Sequence, residues 1–227
     1  MKSAISMAAV GATLFFWALA AHAAPFLIDF ETVPPEPTGP SFFAAAGPAQ
    51  TIVVPGVASI SGGVILGNAS FLPAQSFATP PNTYGTAGFG DASLSSTLSV
   101  TFNPAFGTVT EVSFPILNGS TAVESYVVNA FNGATLTASQ TLSNLPANSS
   151  SGFGIVDVTA ASITSLTIAP TLLNATCCNG WDFFIDSVAL NQSVQQALAP
   201  TPEPTTLLLF GSVLAGIGAL RRRYPHS

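Results

Sequence analysis

Apolar residues that recur at every second position settle the fold class of this chain before any other feature does. Leu98, Val100 and Phe102 alternate with Ser99 and Thr101, the period of a strand with one face buried and one face wet. Val112, Phe114 and Ile116 repeat the pattern. Residues 123–128 read as another strand, ending near Phe131. Asn132-Gly133 behind it is a hairpin turn pair, since both residues accept the positive φ that such turns need. Residues 136–142 supply the returning strand. Further strands are expected over 154–159, 163–168 and 183–190, with shorter ones over 26–30, 51–54 and 64–66. No ten-residue amphipathic helix occurs between residues 24 and 190, and Gly, Pro, Asn and Ser punctuate the intervals. Strands at this spacing argue for an antiparallel sandwich or barrel. The expectation is an all-β, jelly-roll-like antiparallel β-sandwich. Residues 32–50 and 73–90, rich in Pro, Gly, Ala and Thr, are expected to be loops.

Charge limits what this sandwich can do. Only 6% of the residues are charged, against about 25% in ordinary soluble chains. Every Lys, Arg and His lies in the terminal segments: Lys2, His22, Arg221, Arg222, Arg223 and His226. Residues 24–200 therefore hold no cation, but they hold Asp29, Glu31, Glu36, Asp91, Glu111, Glu124, Asp157, Asp182 and Asp186. Nucleic acid is excluded as a partner, because neutralising phosphates requires Lys or Arg. Ser-His-Asp and Cys-His catalysis lack their base. The chemistry that remains is that of carboxylates, amides and hydroxyls: coordinating calcium, hydrogen-bonding sugars, or keeping a surface wet.

Both ends of the chain read as targeting segments. Lys2 precedes an apolar run from about Ile5 to Ala20, and Ala21-His22-Ala23 is a small-x-small site. Residues 1–23 are therefore expected to be a signal peptide cleaved between Ala23 and Ala24, and 24–190 to be the exported domain. Residues 191–204 are expected to form a Pro-containing extended linker. Residues 205–227 are expected to hold a single transmembrane helix, Thr205 to Leu220, with Arg221, Arg222 and Arg223 as its cytoplasmic stop. Sixteen helical residues rise roughly 24 Å, slightly short of a ~30 Å bilayer core, which local thinning can cover.

Pro202-Glu203-Pro204, the short apolar stretch and the terminal arginine cluster, in that order, resemble the PEP-CTERM sorting signal of Gram-negative bacteria, a tail also catalogued as an ice-binding protein C-terminal domain. The resemblance covers residues 201–223, about one tenth of the chain. It implies recognition of Pro202, Glu203 and Pro204 by exosortase, a membrane-embedded processing enzyme, in systems that accompany exopolysaccharide production and biofilm formation. Residues 98–190, with their Leu-Ser-Val-Thr-Phe strand and closing Trp-Asp-Phe-Phe-Ile-Asp-Ser-Val run, also resemble the sandwich often found ahead of this tail. That implies a carbohydrate-binding-like architecture.

Three groups are candidates for chemistry. Asp29 and Glu31, two apart on a first strand, share a face. Asp186 on a last strand can meet them if first and last strands are neighbours. Such clustered carboxylates suit calcium; the alternative is that each points into solvent or caps a loop. Tyr84, Tyr126 and Trp181 are candidates to stack on sugar rings; for Trp181, which follows an Asn-Gly turn, the alternative is packing on the end of the core. Cys177 and Cys178 are adjacent, and a vicinal disulfide, free thiols or bridges to another chain all stay open. The expected function is that of a non-enzymatic surface or matrix protein associated with extracellular polysaccharide. Its alternatives are a passive structural or adhesive protein, and a carboxylate-based glycan hydrolase. The expected location is the cell surface or matrix of a Gram-negative bacterium, after transient membrane anchoring.

Overall fold

The computed structural model describes residues 23–32, 49–67, 77–87, 96–150, 152–171 and 181–199. Twelve strands run through them: β1 Phe26–Ile28, β2 Gln50–Val54, β3 Ala58–Leu66, β4 Thr83–Ala87, β5 Leu98–Phe102, β6 Val109–Asn118, β7 Glu124–Asn132, β8 Thr135–Leu145, β9 Phe153–Ile163, β10 Ser165–Pro170, β11 Trp181–Ile185 and β12 Val188–Leu190. A short helix, α1, spans Val194–Ala197. All the strand pairings are antiparallel.

The pairings form two layers. One sheet runs β2-β3-β5-β10-β7-β8. The other places β9 and the β11–β12 segment on either side of β6, with β4 and β1 beyond. Alternation explains the core between them. Leu98, Val100 and Phe102 face inward from β5, and Tyr126, Val128 and Ala130 from β7. They meet Val112, Phe114 and Ile116 of β6 and Phe183 and Ile185 of β11 in one buried cluster. The all-β antiparallel sandwich is thus as the periodicity predicts, and β1 and β12 do pair, Phe26 opposite Leu190.

β3 joins the layers. Ser61 and the residues before it pair with β5, whereas Val64, Ile65 and Leu66 pair with β4. The change of sheet falls at Gly62-Gly63. Gly62 has φ +103, and a Cβ there would run into the Thr97 carbonyl. A Cβ on Gly63 would run into the carbonyl of Gly85. A bend this tight admits only residues without side chains.

The hairpin β7–β8 forms one residue later than the turn pair predicts: Asn132 still pairs with Thr135, and Gly133, at φ 59, makes the turn with Ala134. Three expectations need correction. Thr83–Ala87, inside a stretch expected to be loop, is a strand held between β3 and β11; Gly and Pro around it hide the signal. The expected strand 183–190 is two strands, broken at Asp186-Ser187, where Ser187 has φ 47. The expected linker from residue 191 is folded as far as Leu198. Ser193 and Gln196 form a reciprocal capping box, and Val194 is fully buried.

Candidate functional site

Asp29 and Glu31 lie past the end of β1 rather than on it, in a turn opened by Phe30 at φ 61. Asp29 Oδ1 accepts from the Glu31 backbone N–H at 3.2 Å. Glu31 Oε1 accepts from the Asn82 N–H at 3.2 Å, and its Oε2 is buried with no hydrogen-bond partner. Asp186 occupies the break between β11 and β12 and is fully buried. Its oxygens accept from the Thr79 N–H at 2.8 Å and the Ser187 N–H at 2.6 Å. Thr79 Oγ1 lies 3.4 Å away. Burial first, then the Asp29 charge, raise the Glu31 pKa against the Asn82 N–H that lowers it, and Glu31 in turn adds to the rise at Asp186. Neighbours are not yet a ligand set. Among the described residues no three His, Cys, Asp or Glu side chains are placed to hold a metal ion. Asp186 is spent on fastening the 77–82 segment to the sandwich.

Burial pushes the Asp186 carboxyl up to about 8, outweighing the N–H groups of Ser187 and Thr79 that favour its charge. A carboxyl raised in the fold adds stability below its unfolded pKa of about 4 and loses it as pH rises through the folded value. Stability should therefore fall from about pH 4 towards pH 8. Denaturant midpoints measured across that window should lose most of this slope in Asp186→Asn.

The aromatic candidates are corrected outright. Tyr84 and Tyr126 are fully buried and Trp181 is 3% exposed, so none offers a ring face to a sugar. The Tyr84 hydroxyl donates to the Gln50 carbonyl at 2.6 Å and accepts from the Gly63 N–H at 2.9 Å, bracing the bend in β3. Burial raises its pKa to about 12. The Tyr126 hydroxyl lies 2.8 Å from Asn118 Oδ1 and 2.9 Å from the Asp182 carbonyl; burial first, then the charges of Glu124 and Asp182, raise its pKa too. Trp181 sits at a bulge that shifts the register before Phe183. One extra residue moves a side chain to the opposite face. Trp181 consequently packs with Phe184, ring centroids 5.4 Å apart, in a second buried cluster with Val64, Leu66 and Leu117. Cys177 and Cys178 lie outside the described residues, as do the rest of the expected signal peptide and the expected transmembrane helix.

Sequence reasoning missed Asn191 and Asn118. Asn191 ties the end of β12 to the start of β6 and to Ala23, the residue just before the expected cleavage bond. Its Oδ1 accepts from the Thr110 N–H at 2.8 Å, and its Nδ2 donates to the carbonyls of Ala23 at 2.9 Å and Thr108 at 3.2 Å. The expected cleavage bond, Ala23–Ala24, therefore lies at a seam between buried Ala23 and exposed Ala24. Behind β12, α1 docks on β6 through Val194, whose N–H donates to Ser113 Oγ at 3.1 Å. The described chain ends at Ala199, and residues 200–223 match the family model of the PEP-CTERM protein-sorting motif. The tail is a PEP-CTERM motif. It implies export, anchoring in the membrane and sorting to the surface by exosortase. Three residues from Ala199 reach at most about 11 Å to Pro202, so the folded domain is held close to its PEP-CTERM signal.

No curated protein matches the chain. Among solved structures, the K3 cleaved adhesin domain of Lys-gingipain from Porphyromonas gingivalis overlaps at TM-score 0.37 and 12% identity, covering 74% of this chain and 98% of that one. An arabinose-bound GH51 α-L-arabinofuranosidase overlaps at TM-score 0.37 and 13% identity, covering 75% and 27%. A mutant of the family 29 carbohydrate binding module CBM29-2 overlaps at TM-score 0.32 and 12% identity, covering 79% and 100%. Scores this low carry nothing about ligand or reaction.

Proposed function

We propose that this chain is an exosortase-sorted surface protein whose sandwich is a non-enzymatic module of the extracellular polysaccharide matrix of a Gram-negative bacterium. The observation that carries the reading is the sorting motif over residues 200–223, set directly behind a folded domain that lacks every cation. Hydrolysis is disfavoured by the most perturbed carboxyl, Asp186, which is fully buried with both oxygens engaged; a glycosidase needs two carboxyls open to the sugar. A passive adhesive role is the second reading. It shares the sorting step and differs in having no polysaccharide site.

The sorting step is tested by replacing Pro202, Glu203 and Pro204 with alanine in the host. The variant is expected to stay in the inner-membrane fraction while the native chain reaches the surface. Equal surface amounts of the two would remove the basis of the proposal.

A further inference from the structure

The two sheets differ in charge. The strands of the β2-β3-β5-β10-β7-β8 sheet hold one ionisable carboxylate, Glu124, which is buried at 4% exposure. The other described carboxylates, including Glu111, Asp157 and Asp182, belong to the opposite sheet or to the turns beside it. Among the described residues, the outward positions of this sheet's strands therefore carry no charge, although solvated sheet faces and edges ordinarily rely on charge to stay soluble and unpaired.

That face is a register-matched array. Ser61 pairs with Ser99, Ser99 with Thr167, Thr167 with Asn129 and Asn129 with Ser139, so five polar side chains cross five strands in one row. Ser139 Oγ donates to Asn129 Oδ1 at 2.8 Å. The adjacent row, two residues along, passes through Ser59, Thr101 and Ser165 to Phe131. It ends in exposed aliphatics at both edges, Val53 opposite Ser59 and Leu136 opposite Phe131. Sheet geometry spaces neighbours in a row by about 4.8 Å and the rows by about 6.7 Å.

We propose that this face docks an uncharged extracellular polysaccharide. The inference rests on the matrix reading above and names the surface and the polymer class. Each Ser and Thr hydroxyl both donates and accepts, as does each sugar hydroxyl. Phe131, Val53 and Leu136 meet the C–H faces of sugar rings. A polyanion finds no cation here, and residues 24–200 as a whole hold carboxylates and no Lys, Arg or His. A protein partner would call for apolar and aromatic residues at the centre of the patch, where Ser, Thr and Asn stand instead.

The test uses the full-length chain in detergent and the host's extracellular polysaccharide, divided by anion exchange into neutral and acidic fractions. Binding to the neutral fraction is expected, with the same Kd at low and high salt. Thr167→Glu places a carboxylate at the centre of the array and should weaken binding about tenfold or more. Ser139→Glu, at an exposed position, should do likewise at the cost to the fold of one exposed hydrogen bond, that to Asn129. Asp157→Asn on the opposite sheet should leave binding unchanged. Failure to bind the neutral fraction, or Glu variants that bind like the native chain, would overturn the assignment. Binding to the acidic fraction alone would overturn it while leaving the matrix association standing, and binding to neither would remove both.

Discussion

Replacing Gly62 with alanine should lower stability by about 3 kcal/mol. A non-glycine residue at such a φ costs about 1–3 kcal/mol, and forcing a methyl into a filled space costs about as much again. The side chain would meet the backbone carbonyl of Thr97, which a rotamer change cannot move aside. For a domain of this size the melting temperature should fall by about 10 °C. Gly56 separates the two contributions. It also has a positive φ, +74, but a Cβ there meets nothing within 4 Å. Gly56→Ala should therefore show the backbone strain alone, about 1 kcal/mol. If thermal melts find the two variants equally mild, β3 does not change sheets through a glycine-only bend.

Asn118 is the second position of large effect. It is fully buried at the end of β6. Its Nδ2 lies 2.9 Å from the Ala122 carbonyl, 3.1 Å from that of Leu145 and 2.8 Å from that of Pro146. Its Oδ1 accepts from the Ser120 N–H and the Tyr126 hydroxyl, each at 2.8 Å. One carboxamide thus satisfies backbone groups of the β6–β7 connection and of the end of β8 and the turn behind it. Asn118→Leu keeps the volume and strands these groups, at about 1–3 kcal/mol each, so a loss of about 3 kcal/mol or more is expected in denaturant titrations. Asn118→Asp should be worse at neutral pH, because a carboxylate oxygen would face the carbonyls that Nδ2 now serves. Protonation would restore a donor. The Asp variant should accordingly recover part of its stability as pH falls, which the Leu variant cannot do. Equal losses for both at every pH would remove Asn118 from this role.

These positions show how much of the molecule is legible without coordinates. Period-2 alternation in β5, β6 and β7 is a local signal, and it gives the sandwich and its core because one face of each strand must leave water. The pairing of β1 with β12 follows from topology and needs no side-chain detail. The aromatic candidates fail for a non-local reason. Polar tips on Tyr84 and Tyr126 suggest exposure, yet each finds a buried backbone partner from a distant strand, and a bulge turns Trp181 to the other side of its strand. β4 escapes notice because Tyr84 is one of few large residues among Pro, Gly, Thr and Ala; the strand is made by its neighbours. The capping box of Ser193 and Gln196 is visible in the sequence and marks the helix that the Pro-rich surroundings obscure. The uncharged face needs both sources: the sequence shows where carboxylates are absent, and only the register shows that the hydroxyls form rows.

Sorting through the tail is tested most directly by the intact mass of the protein recovered from the host's cell surface. The mass should correspond to a chain that begins at Ala24 and has lost Arg221, Arg222 and Arg223. A surface protein that still carries the arginine cluster would contradict sorting by exosortase.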